Sequence, residues 1–223
     1  VESDGLDKAI SLSSMGIIVS SAEAGKPEKR GRRMRDFRSK SETARREWMV
    51  WLYFPVMRVL AIDPAVRNTG YALLEGEARS PVVLGYDVIS IPKSLPQSAA
   101  LAAVRSHLAN LIAKFQPDEV AVEGIIYVQS HQTAISMGAA RAAALIAAAD
   151  HGLPVYEYSP KKVKSAVVGK GNADKSQVAF MVRALLGLAE TPPSDAADAL
   201  AIGIAHLQAS DPLKAKLLDR RLV

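Results

Sequence analysis

Asp63, Glu123, Asp195 and Asp198 are the side chains of this sequence whose types and settings suit joint chemistry. Asp63 ends the apolar run RVLAID and is followed by a proline, and Glu123 ends a second such run in DEVAVEG. Asp195 and Asp198 open the stretch SDAADALAIGIAHL. Their spacing of three puts them on one helical face, about 5–6 Å apart. A carboxylate buried at a strand end costs several kcal/mol unless something pairs with it. Four carboxylates in one place stay ionised together only around divalent cations. Mg2+ suits them, since it takes one or two carboxylates together with waters and phosphate oxygens. Two such ions about 3.5–4 Å apart form the clamp used for phosphodiester cleavage. Singly, each acid has a plainer explanation: a turn at Asp-Pro, a solvent-facing Glu, an Asp pair complementing a helix dipole. Only their joint placement points to metal.

Lys161, Lys162 and Lys164 lie in one short segment, and Lys170 and Lys175 follow. A lysine beside a scissile phosphate neutralises charge that develops in the transition state. The alternative for this cluster is a solvated basic face.

The elements that must position these groups follow from periodicity. RVLAID (58–63) reads as a central strand, PAVRNTG (64–70) as a turn, and YALLE (71–75) and VVLGYDVIS (82–90) as two further strands of an antiparallel meander. Residues 96–116 show helical periodicity and stop before Pro117. A fourth strand (118–124), an Ala-rich helix (131–151), a fifth strand (153–159) and helices over 161–169 and 173–187 come next. The final helix spans 194–209, with Ser194 as its N-cap. If the first and fourth strands are parallel neighbours, Asp63 and Glu123 meet at one sheet edge, and the first turn of the last helix brings Asp195 and Asp198 to it. The expected fold is α/β: a mixed five-stranded sheet, three antiparallel strands then parallel ones, flanked by helices. That order resembles the ribonuclease-H-like fold.

The chain of 223 residues suits one domain with an appendage. It has no cysteine, which excludes disulfides and thiolate metal sites and fits a reducing cytoplasm. The formal net charge of +5 is compatible with nucleic acid without demanding it. There is no run of 18 apolar residues, so no membrane span is expected. Residues 21–47 are polar and basic; they read as a solvated tail, a phosphate-gripping arm, or part of an over-extended gene start. The domain expectation is a basic extension over 1–56, a nuclease domain over 57–210 and a tail over 211–223.

Several separated motifs carry a family resemblance: LAIDPAVRNTGYALL, QPDEVAVEG, LPVYEYSPKKVKSAVVGKGNADKSQVAFMVRALLGL and DAADALAIGIAH. They cover nearly all of 57–209 and resemble RuvC, the bacterial Holliday-junction resolvase family. The resemblance implies that Asp63, Glu123, Asp195 and Asp198 bind metal, and that Lys164 and Lys175 act near the cleaved phosphate. It implies DNA contacts by Tyr127, Arg141, Lys161, Lys162, Lys164, Lys170 and Lys175. It further implies a cytoplasmic homodimer that cuts four-way junction DNA by paired symmetric nicks, with two Mg2+ ions per site and Mn2+ as a substitute, beside the RuvA–RuvB branch-migration complex. Two departures stand out. Ala65 replaces the usual glycine after Asp-Pro, which is strained if that backbone needs positive φ. Ile126 replaces an aromatic expected after the strand-four Glu, with Tyr127 next to it.

Two other functions are weaker. An actin- or sugar-kinase-like ATPase needs two Gly-rich phosphate loops; Asp63-Pro64-Ala65 breaks the first and no clear second exists. A junction-binding protein that does not cut has little reason to face four acids toward phosphates.

Overall fold

The strand that ends at Asp63 is buried from both sides because its residues alternate between two hydrophobic cores. Val59 and Ala61 face one core, and Leu60 and Ile62 the other. A continuous apolar run is what a doubly covered strand requires. The computed structural model describes residues 57–125, 130–211 and 220–223. The expected extension over 1–56, Ile126, Tyr127 and most of the 211–223 tail lie outside them.

Strand β1 (Met57–Asp63) pairs antiparallel with β2 (Asn68–Glu77), which pairs antiparallel with β3 (Ser80–Ser90). Helix α1 (Gln97–Phe115) leads to β4 (Glu119–Glu123), parallel to β1. Helix α2 (His131–Ala149) leads to β5 (Val155–Tyr158), parallel to β4. Helices α3 (Pro160–Val168), α4 (Lys175–Leu186) and α5 (Ser194–Ser210) follow, and then the short strand β6 (Arg221–Leu222), antiparallel to β5. The sheet order is β3-β2-β1-β4-β5-β6. The mixed sheet is as expected but carries a sixth strand. Two residues are too few to leave an alternating pattern, and β6 draws the end of the expected tail into the sheet. Helices α1 and α2 cover the face holding Leu60 and Ile62; α3, α4 and α5 cover the face holding Val59 and Ala61.

The short helices have well-defined ends. The Ser159 hydroxyl caps α3 by accepting from the Lys162 amide, and Gly169 stops it at φ 80°. A capping box between Asp174 and Gln177 starts α4 at Lys175. For α5 the expected cap is corrected. Ser194 is its first helical residue, and Pro193, at φ −53°, occupies the cap without a side-chain bond. The ring of Pro193 already holds the backbone in the conformation that leads into a helix, and its carbonyl accepts from the Ala197 amide at 2.8 Å.

Helix α5 lies on β1 and β2 at very close range. A Cβ on Gly70 would stand 2.0 Å from the Asp195 carbonyl oxygen, and a Cβ on Gly203 would stand 2.1 Å from Cδ1 of Leu74. The obstacles differ in kind, one being helix backbone and the other the end of a side chain. Gly70→Ala is therefore expected to cost about 3 kcal/mol or more, since α5 must lift from the sheet. Gly203→Ala recovers about 0.8–1 kcal/mol of helix propensity against its clash, so its net loss should stay near 1 kcal/mol. Urea unfolding of the two variants checks the order, and equal losses would contradict the seating of α5 on Gly70.

Candidate active site

Asp63 and Glu123 are brought together by strand register. In the parallel pair β1–β4, Ile62 stands beside Val122, so the next residues of both strands emerge at the same edge. Side chains alternate along a strand. Since Ala61 and Ala121 belong to the core under α5, Asp63 and Glu123 return to that same face. Asp63 also pairs across β2 with Gly70, and on Gly70 rests the backbone of Asp195. One contact thus sets the first turn of α5, with Asp195 and Asp198, over the end of β1.

The electrostatics record this proximity. Burial pushes the Asp63 carboxyl up from an ordinary 3.8 to about 6, with further increments from Asp198 and Asp195. Burial, then Asp63 and Asp198, raise Glu123 from 4.5 to about 7. Asp63 thus feels both acids of α5, and Glu123 feels Asp63 and Asp198. Lys175 opposes them: its Nζ donates to Oδ2 of Asp198 at 3.2 Å, and Asp198 in turn raises the lysine pKa. Lys164 also lowers Glu123, which places its charge at the site.

The remaining basic residues are distributed unevenly. Lys161 and Lys162 lie in the first turn of α3, which leaves the sheet at the same edge, and Lys170 lies in the α3–α4 connection. Arg141 is different. Its guanidinium is paired with Glu157 and is only 17% exposed, on the far side of the sheet under α1 and α2. Ala65 is not strained: among the described non-glycine residues only Gln116 has positive φ.

The donor set suits a hard divalent cation, since every candidate ligand is a carboxylate oxygen at an open sheet edge. Among the described residues, however, no three acidic or histidine side chains close into a ready-made cage. Asp198 is turned toward Lys175.

Sequence reasoning misses three contributors. Gly70 and Thr69 read as turn residues, although a glycine inside a strand signals close backbone approach. His206 reads as part of an apolar helix, yet it is fully buried, with Nδ1 at 2.9 Å from the Tyr158 hydroxyl and Nε2 at 2.7 Å from Glu119.

A pH dependence follows. Between about pH 4 and 7 the folded chain holds more protons on Asp63 and Glu123 than the unfolded one, so these acids make stability fall as pH rises through that window. Buried His206, whose pKa is lowered, contributes the opposite slope. The difference between wild type and Asp63→Asn isolates the acids. In EDTA, Asp63→Asn should gain melting temperature over wild type as pH rises from about 5 to about 7.5, and excess Mg2+ should reverse the gap at the higher pH. A constant difference across pH would remove the coupling.

The family described as "Crossover junction endodeoxyribonuclease RuvC" matches residues 59–206. A relative of that name from Akkermansia muciniphila is 64% identical over 167 residues, covering 75% of this chain and all of the relative. Another, from Dehalococcoides mccartyi, is 46% identical and covers 67% of this chain and 90% of its own length. Among solved structures, T. thermophilus RuvC in complex with a Holliday junction substrate superposes with a TM-score of 0.68 at 33% identity, over 75% of this chain and 99% of that one. With its folded core matched from β1 into the last turns of α5, the chain belongs to the RuvC family of crossover junction endodeoxyribonucleases.

Proposed function

We propose that this chain resolves four-way (Holliday) DNA junctions by paired symmetric nicks in recombination and repair. The observation that carries the mechanism is the convergence of Asp63, Glu123, Asp195 and Asp198 at one sheet edge, with Lys175 and Lys164 beside them. In this reading the four carboxylates hold two divalent cations, Mg2+ by preference and Mn2+ as a substitute. Bound there, the cations would supply Lewis-acid activation of the attacking water and stabilisation of the leaving oxygen. A water oxygen bonds to phosphorus, the P–O3′ bond breaks, and a proton goes to the leaving oxygen, giving 5′-phosphate and 3′-hydroxyl ends. Lys175, 72% exposed, leaves Asp198 for a phosphate oxygen as substrate arrives. Lys164 neutralises charge beside Glu123, and Lys161, Lys162 and Lys170 contribute to a basic rim for the backbone. Arg141 is engaged by Glu157, so in this reading it fastens α2 to β5. Tyr127, outside the described residues, stays a proposed DNA contact.

The working unit in this reading is a homodimer. On α2, Ile135, Ala142, Ile146 and Ala149 are exposed and fall on one helical face, an apolar stripe of small and branched residues. A twofold protein suits a twofold-symmetric junction. The nuclease domain is assigned to 57–210. Cytoplasmic action on chromosomal DNA beside the RuvA–RuvB complex is proposed on family membership alone. No described helix is long and apolar enough to cross a membrane.

The test is cleavage of a synthetic four-way junction against a linear duplex of the same sequence, with Mg2+ and with EDTA. Asp63→Asn should cut at least about 100-fold more slowly while still binding the junction, because losing a ligand costs more than the 10–100-fold typical of its supporting residues. Wild-type cutting by this variant would remove Asp63 from the site. Ile146→Asp should run as a monomer in light scattering and lose paired cutting; a dimer that cuts normally would move the interface elsewhere.

A further inference from the structure

Thr69 and His206 are the polar side chains that the described residues bury completely. The Thr69 hydroxyl donates to the Ala65 carbonyl at 2.5 Å and accepts from the Ala65 amide at 3.2 Å. One hydroxyl therefore spans the two peptide groups that flank Ala65, two residues beyond Asp63. The same connection is held from outside by Arg67, whose guanidinium donates to the carbonyls of Pro92 at 2.6 Å and Leu95 at 2.8 Å. The Arg67 carbonyl accepts from the Ile91 amide at 2.7 Å. Immediately after Thr69 comes Gly70, the seat of α5. Two consecutive residues thus hold both acid-bearing elements. The side chain of one closes the loop behind Asp63, and the bare Cα of the next receives the backbone of Asp195.

We propose that Thr69 is a positioning residue for the acidic site: its hydroxyl fixes how the Asp63 carboxylate is presented to those of α5, and so the geometry offered to a divalent cation. The proposal rests on the four carboxylates being a cation site. Its physical content is pre-organisation. Without the hydroxyl, the amide and carbonyl of Ala65 lose their partner in a partly buried loop, and the loop gains conformations that point Asp63 elsewhere. Mg2+ demands near-ideal octahedral geometry, so it is sensitive to such loosening. Mn2+ tolerates more distortion. A side chain that merely fills space would not distinguish the two ions.

Thr69→Val keeps the shape and removes the hydroxyl, Thr69→Ser keeps the hydroxyl and removes the methyl, and Thr69→Ala removes both. The full chain of each is measured for Mn2+ binding by electron paramagnetic resonance without DNA, for junction binding in EDTA, and for cutting with Mg2+ and with Mn2+. Thr69→Val should bind the junction as wild type does, bind Mn2+ about 10-fold more weakly, and lose at least about 10-fold more activity with Mg2+ than with Mn2+, in the range seen for groups that orient metal ligands. Thr69→Ser should restore all three. Should Thr69→Val fail to fold, the Ser and Ala variants still isolate the hydroxyl, and equal cation binding by those two would overturn the proposal. Equal losses with both ions at unchanged Mn2+ affinity would also overturn it, leaving Thr69 a space-filling residue. A wild-type chain that cuts junctions but shows this ion preference unchanged in Thr69→Val refutes Thr69 alone. A wild-type chain that binds no Mn2+ refutes the cation site, and the proposal with it.

Discussion

The site depends on how closely one helix can approach the sheet. Helix α5 carries two of the four carboxylates, and the other two stand at the ends of paired strands, where the sheet fixes their Cα positions. The distance between the pairs is therefore set where the backbone of α5 meets Gly70. A Cβ there would overlap the Asp195 carbonyl. The contact is backbone against backbone, so no rotamer change relieves it, and the helix has one height above the strands. Strand pairing carries that height to Asp63, because Gly70 is its direct partner on β2.

Crowding carboxylates in this way stores an electrostatic cost that defines what the site accepts. Burial alone disfavours the ionised forms of Asp63 and Glu123, and their neighbours add to it. Lys175 relieves part of it through Asp198, with one charge on a flexible, exposed stem. A cation with two charges relieves more, and oxygen ligands suit a hard one. In the proposed function, balancing the carboxylate charge would leave the lysines around the rim free to act on phosphate. Cation and polyanion then favour each other's binding, because each neutralises what the other finds repulsive.

Much of this is legible in the sequence for a simple reason. An acid that ends an apolar run marks a strand end, and an Asp pair three apart that opens an apolar helix marks one face of a first turn. The parallel pairing of β1 and β4 is only a condition at the level of sequence, and the strand register supplies it. What the pattern does not contain are relations between distant residues. Gly70 looks like a turn residue until something is known to rest on it. Arg141 looks like a surface cation, yet its partner, Glu157, comes 16 residues later on the strand after α2. Arg220 reaches Glu119 across 101 residues, from just before a two-residue strand with no periodicity to read. Ser194 has the chemistry of a cap, but Pro193 already dictates the backbone where a cap would form.

The far end of α5 explains how its near end stays in place. The helix buries Leu200, Ile202, Ile204 and Leu207 among the small residues Ala196, Ala197, Ala199, Ala201, Gly203, Ala205 and Ala209. The small residues let the helix pack close, and the four branched side chains key it into the core. His206 adds polar registration to this packing. It is held on one side by the Tyr158 hydroxyl and on the other by Glu119, itself paired with Arg220. Any shift of α5 along its axis would break both bonds of a fully buried ring, leaving polar atoms unpaired at about 1–3 kcal/mol each. Sliding the helix by one residue thus costs these bonds as well as its apolar packing. The polar peg at one end and the glycine seat at the other together define where Asp195 and Asp198 stand.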